Sequence, residues 1–199
     1  DGQLRVRSAT VSGSNLSWGS SDDPRNNLSS SAKYNAGHGL VYAPNVDRWI
    51  SFWRVSGSSA ANSYYQMYEG DLSTPVGNNV EYNNFFTGGS NNYGPTQIYT
   101  FWNNALQKIV MFGFWSGSST NGVAYRIGTV STNSVSWSPN VNGGTGWNTM
   151  ADWKSAAGLL TGAEGFDITY DESQQKYMYV RNLLNQTVAK FGFFEHNSS

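Results

Sequence analysis

Ala9–Trp18 reads ATVSGSNLSW, and Gly128–Trp137 reads GTVSTNSVSW, the same phrase 119 residues further along the chain (128 − 9 = 119). Half that step lands near residue 69, where Glu69–Tyr82, EGDLSTPVGNNVEY, is a looser copy with residues inserted at its turn. Other landmarks recur at steps of 60 residues, and once of 68. SGSS stands at Ser56–Ser59 and again at Ser116–Ser119, and a basic residue precedes an aromatic-rich run at Arg48, Lys108 and Lys176. Independent landmarks at one period of this length mark a repeat architecture.

Each copy divides into four strand-like runs separated by turn residues. The first copy gives Arg5–Ser12, Leu16–Trp18, Gly39–Tyr42 and Trp49–Val55; the second gives Tyr65–Leu72, Asn79–Tyr82, Gln97–Phe101 and Ile109–Trp115. The third gives Ala124–Ser131, Ser134–Trp137, Phe166–Tyr170 and Tyr177–Arg181. Asn121-Gly122 between two strong strands is a hairpin signal. Helical periodicity is confined to one short region, Met150–Leu160.

A twisted four-stranded sheet cannot cover its own faces, so copies must stack. The expectation is an all-β, β-propeller-like fold: three four-stranded antiparallel blades of about 60 residues plus a spare terminal strand. The chain reads as a single repeat domain, 1–199, with repeats at 4–63, 64–122 and 123–187 and a partial repeat at 188–199. Val188 onward, VAKFGFFEHNSS, aligns with Val123 onward, VAYRIGTVSTNS, so both chain ends carry the same strand of the repeat. Either three blades close a small ring with the spare strand at the seam, or the blades belong to a larger propeller or homo-oligomer. Propellers usually have about four to eight blades, which favours assembly.

Composition fits this reading. The 199 residues include eight Trp, twelve Tyr and ten Phe, while charged residues are only 13%, about half the usual share of roughly 25%. A formal charge of −1 offers no general attraction for nucleic acid or an anionic membrane. No apolar run approaches the roughly 20 residues that span a bilayer, so no membrane insertion is expected. The sequence opens at Asp1, as a processed or excised piece would.

No catalytic constellation emerges. With His38 and His196 the only histidines and no Cys, there is no metal-ligand set of usual spacing, and no metal or cofactor is expected. There is no G-x-S-x-G elbow, and GGTG at Gly143–Gly146 lacks the following helix of a phosphate cradle. The carboxylate pairs Asp22-Asp23 and Asp171-Glu172 resemble an acid/base couple in type, but Asp171-Glu172 falls in a turn matched by Pro44-Asn45, where Asp serves local backbone bonding. Arg7 and Arg126 hold the same place in their repeats, which points to a structural role.

The informative variation lies in the long connections Gly19–His38, Asn83–Pro95 and Ser138–Gly165. In equivalent blades these emerge on one side, and long loops on a rigid scaffold are where binding residues sit. They carry Tyr34 and His38; Phe85, Phe86 and Tyr93; and Trp147, Asp152, Trp153 and Lys154. Aromatics flanked by amides and carboxylates suit sugars, which stack their C–H faces on rings. The ligand-binding candidates are therefore Trp147, Trp153, Asp152, Lys154, Phe85, Tyr93, Tyr34 and His38. Trp18, Trp49, Trp53, Trp102, Trp115 and Trp137 fall on repeat strands or their turns and are assigned chiefly to blade packing.

The phrases RIGTVSTNSVSW and RSATVSGSNLSW, followed by FDITYDESQQKYMYV and GLVYAPNVDRWISFW, resemble the β-propeller-type repeat of structural proteins of tailed, particularly marine, phages. The middle copy departs from the pattern at Asp71 and Pro75. The resemblance implies a virion appendage such as a tail fibre or spike component, associated with host attachment, and implies no catalytic residues. The expected function is a non-catalytic virion or extracellular module mediating attachment to a host or a cell-surface glycan, with partner subunits of the same assembly. The alternatives are a propeller lectin, a pure structural scaffold or capsid decoration, and, behind these, a propeller glycosidase.

Overall fold

A computed structural model describes residues 5–22, 34–56, 63–81, 97–116, 121–137, 148–149, 166–182 and 189–195. These residues form strands and turns, with no helix among them; the Met150–Leu160 region lies outside them. The fold is all-β, built of several antiparallel sheets. The first sheet is the hairpin of β1 (Val6–Ser12) and β2 (Asn15–Asp22); the second contains β3 (Tyr34–Ala43), β4 (Arg48–Ser56), β5 (Ser63–Glu69) and β6 (Pro75–Glu81) in sequence order. The third contains β7 (Gln97–Asn103), β8 (Lys108–Ser116), β9 (Asn121–Val130) and β10 (Val135–Trp137), with the short β11 (Asn148–Thr149) also alongside β9. The fourth contains β12 (Phe166–Asp171), β13 (Lys176–Asn182) and β14 (Ala189–Glu195).

Three four-stranded blades are not seen among the described residues: their sheets have two, four, four and three main strands, and the stack does not close into a ring. Pairing runs across the sequence cuts at Tyr64 and Val123, since β4 pairs with β5 and β8 with β9. A repeat can be cut anywhere along its period, and only the hydrogen-bonded ladder shows where one sheet stops. The long connections accordingly join consecutive sheets, running from β2 to β3, β6 to β7 and β10 to β12, and do not lie within one.

The equivalence of the copies is visible in the turns. Four-residue turns at 44–47, 104–107 and 172–175 close the β3–β4, β7–β8 and β12–β13 hairpins. In each the last residue is left-handed: Asp47 (φ 52°), Gln107 (φ 52°) and Gln175 (φ 57°). The next residue is Arg48, Lys108 or Lys176, so the basic landmark marks the return from a strained turn position. Asn121 and Gly122 are not the turn that the sequence suggests: they already pair with Ser116 and Trp115 as the start of β9, and the residues between the two strands lie outside those described.

The stacking has a direction. Ile50 and Phe52 on β4, with Tyr65 and Met67 on β5, face the third sheet and meet Ile98, Ile109, Met111, Val130 and Val135. On the opposite face of the third sheet, Val110, Phe112 and Ile127 meet Ile168, Tyr177 and Tyr179 of the fourth. Val6 of the first sheet packs with Tyr68 and Leu72 of the second. Ile109, Val110, Met111 and Phe112 are successive and all fully buried, which explains why β8 reads as a continuous apolar run: both its faces are covered. Each such side chain contributes about 1.5–3 kcal/mol on burial.

Gly39 sits where β3 approaches β7, and a Cβ there would stand 2.8 Å from Thr100 Cγ2 and 3.0 Å from Ile98 Cγ2. Polar bridges stitch neighbouring sheets. Tyr68 donates its hydroxyl to Asp22 Oδ2 at 2.9 Å, Arg48 Nε donates to the Thr132 carbonyl at 3.1 Å, and Asn104 Nδ2 donates to Glu172 Oε1 at 2.6 Å.

Candidate functional site

Most of the binding residues read from the sequence, Phe85, Tyr93, Trp147, Asp152, Trp153 and Lys154, lie outside the described residues, as do Phe86 and Asp23. What the structure gives is the frame that holds their segments. Each long connection leaves the outermost strand of one sheet and enters the first strand of the next, at strand ends opposite the turns 44–47, 104–107 and 172–175. In the third connection, Asn148 and Thr149 pair with Tyr125 and Ala124, which ties the residues just after Trp147 to the outer edge of β9.

Tyr34 and His38 are not loop residues. β3 begins at Tyr34, opposite Ser56, five residues earlier than the sequence suggests, and a bulge between Ala36 and His38 carries the strand through. Bulges are a usual device for prolonging a strand whose alternation is broken. His38 is exposed and stands opposite Trp53, which in turn stands opposite Tyr64. The Trp53 and Tyr64 rings stack with centroids 5.9 Å apart. Trp53 is fully buried, in keeping with its assignment to packing, and only the ladder register places His38, Trp53 and Tyr64 side by side.

Asp171 and Asp22 act structurally. Asp171 Oδ1 accepts from the Ser173 backbone N–H at 2.9 Å, the Ser173 hydroxyl at 2.7 Å and the Gln174 N–H at 3.2 Å. The Ser173 hydroxyl, aided by those N–H groups, holds the Asp171 carboxyl below its ordinary value. Asp71 makes the same turn with Ser73 and is lowered in the same way, first by the Ser73 hydroxyl. Carboxylates held ionised by a turn are poor proton donors at neutral pH. Among the described residues no three His, Cys, Asp or Glu side chains gather into a metal-binding group.

The two repeated arginines have one role. The Arg7 guanidinium lies 5.5 Å from the Trp18 ring centroid, and that of Arg126 lies 5.5 Å from that of Trp137. Yet Trp18 is 57% exposed, against its assignment to packing, because none of the described sheets covers that face of the first one.

The least expected feature is on the fourth sheet. Its inner face covers the third sheet, while its outer face shows Phe191 (80% exposed), Phe193 (66%) and Met178 (41%) around a shallow depression of about 240 Å³. Pairing puts Phe193 opposite Met178 and Phe191 opposite Val180. By the same ladders, Phe191 matches Tyr65 and Tyr125, and Phe193 matches Met67 and Ile127. The alignment of Val188 with Val123 is thus one residue out of step, and a one-residue slip sends every side chain to the other face.

No protein-family model matches the chain, and no curated protein is significantly similar to it.

Proposed function

We propose that the chain is a non-catalytic structural module of a virion or extracellular assembly, with propeller-like blades, that mediates attachment to a cell-surface glycan. The observation that carries this reading is the repetition of one frame. Stacked sheets present equivalent strand ends, and the sequence between those ends is long in each case, 23–33, 82–96 and 138–165, with aromatic residues in the second and third. A rigid scaffold that repeats its loop anchors offers several like sites to one surface, and weak sites gain avidity when several engage together. The virion location rests on the resemblance of RIGTVSTNSVSW and RSATVSGSNLSW to the tailed-phage repeat. The sparsely charged, Ser/Asn/Gly-rich composition suits contact through hydrogen bonds and ring stacking rather than through field strength.

The test is a glycan array and host-cell binding assay on the purified chain beside a Trp147→Ala, Trp153→Ala variant that melts at the wild-type temperature. Saturable binding lost in the variant supports attachment through this rim. No binding by the wild type overturns it. A second reading, a scaffold or capsid decoration without ligand, is favoured by the uncovered apolar face of the fourth sheet.

A further inference from the structure

We infer that the outer face of the fourth sheet docks the β1–β2 hairpin of a second copy of this chain, giving head-to-tail assembly by the same stacking that operates inside the molecule. The inference rests on the sheet packing alone and stands whether or not the chain binds a glycan.

Within the chain one rule holds for consecutive sheets. The face carrying Ile50, Phe52, Tyr65 and Met67 on the second sheet is covered by the third, and the face carrying Val110, Phe112, Tyr125 and Ile127 on the third is covered by the fourth. The ladders put Met178, Val180, Phe191 and Phe193 at the same four positions of the fourth sheet. Their counterparts are buried or half-buried; Met178, Phe191 and Phe193 are not. The fourth sheet therefore keeps the apolar side chains of a covered face with no described sheet upon it. An apolar patch of this kind marks a contact surface.

The occupant follows from the other end of the stack. In the third sheet, the hairpin β9–β10 covers the second sheet with Val130, Val135 and Trp137. The repeated phrase puts Val11, Leu16 and Trp18 at those same three places on β1–β2. They are 71%, 51% and 57% exposed. The first described sheet thus offers an uncovered donor face and the fourth an uncovered acceptor face, and the two are the halves of an interface the chain already makes internally. Charge agrees: Arg7 lies over Trp18 on the first face, and Asp167 borders the depression on the last. Because the two surfaces differ, the contact is heterologous and propagates to a ring or a filament.

The experiment is size-exclusion chromatography with light scattering across a concentration series. It compares the wild type, a Phe191→Ser, Phe193→Ser variant and a Leu16→Ser, Trp18→Ser variant, each retaining the wild-type circular dichroism and melting temperature. The expected result is a wild-type mass that rises with concentration, two variants that stay monomeric, and an equimolar mixture of the variants that stops at the dimer. The mixture is decisive, since each variant keeps the one face the other has lost. A wild type monomeric throughout, as intrachain ring closure requires, overturns the inference. So does continued assembly by either variant alone, which shows a face pairing with itself, or a monomeric mixture. Should either pair fail to fold, single Phe193→Thr and Leu16→Thr variants carry the same comparison.

Discussion

Asn103 reaches from the third sheet to the fourth, donating from Nδ2 to the Tyr177 hydroxyl at 3.1 Å, while its Oδ1 accepts the Leu106 backbone N–H at 3.0 Å. Both residues are buried, Tyr177 fully, and burial raises the Tyr177 phenol above its usual range. One amide thus closes a turn and joins two sheets. Tyr177→Phe leaves the amide with a donor unmet and is expected to cost about 1–3 kcal/mol, by the penalty for an unsatisfied buried group. Asn103→Ala is expected to cost as much or more, because it also loses the turn cap. Urea denaturation of the two single variants and the double variant checks this, with strongly non-additive losses as the signature of direct contact.

Phe112 and Phe191 are both phenylalanines on faces directed toward a following sheet, yet they should respond oppositely to truncation. The Phe112 ring sits between those of Phe101, Tyr125 and Tyr177, with centroids 5.1–6.2 Å away. Phe112→Ala is expected to destabilise by about 3–5 kcal/mol. Phe191→Ala at low protein concentration is expected to change stability by less than about 0.5 kcal/mol, as an exposed site does. Thermal melts of the two variants at low concentration make the comparison.

Gly39 tests how closely the first strands of the second and third sheets approach. Gly39→Val puts branched carbons against Ile98 and Thr100, and is expected to cost about 1–3 kcal/mol by overpacking. Gly77, with φ 69° and open space around its Cα, separates strain from crowding: Gly77→Ala is expected to cost about 1 kcal/mol through the left-handed backbone alone.

The strands were legible in the sequence because both periodicities were written plainly. Continuous apolar runs such as Ile109–Phe112 mark strands covered on two sides, and the repeated phrase Ala9–Trp18 and Gly128–Trp137 fixes equivalent hairpins with equivalent Arg–Trp pairs. Sheet boundaries were not legible, since a periodic string has no privileged starting point and the β4–β5 and β8–β9 ladders are long-range facts. The register of β14 was lost for a related reason. Matching Val188 to Val123 on short, common residues cannot resolve a shift of one, and only the pairing of Phe193 with Met178 does. Of the candidate site, His38 and Tyr34 were misread as loop because a bulge breaks the alternation that would have extended β3. The remaining candidates occupy the connections themselves, where no periodicity constrains the reading.

Acid should loosen the turns. Asp71 and Asp171 are held below the ordinary carboxylate value of 3.8 by the hydroxyls of Ser73 and Ser173 and by backbone N–H groups. The folded chain therefore binds these protons less readily than the unfolded chain. Their stabilisation is complete above the unfolded value and is lost as pH falls through the folded one. The melting temperature is expected to hold near neutrality and fall below about pH 4, with a smaller fall in an Asp71→Asn, Asp171→Asn variant.

The central claim is that sheets are built across the repeat cuts and stack in one direction. Interstrand nuclear Overhauser contacts test it most directly. The expected spectrum links Ser51 with Gln66, Met111 with Arg126 and Tyr179 with Gly192, the residues opposite one another in the ladders β4–β5, β8–β9 and β13–β14. Ladder contacts joining β2 to β3 or β6 to β7 in place of these contradict it.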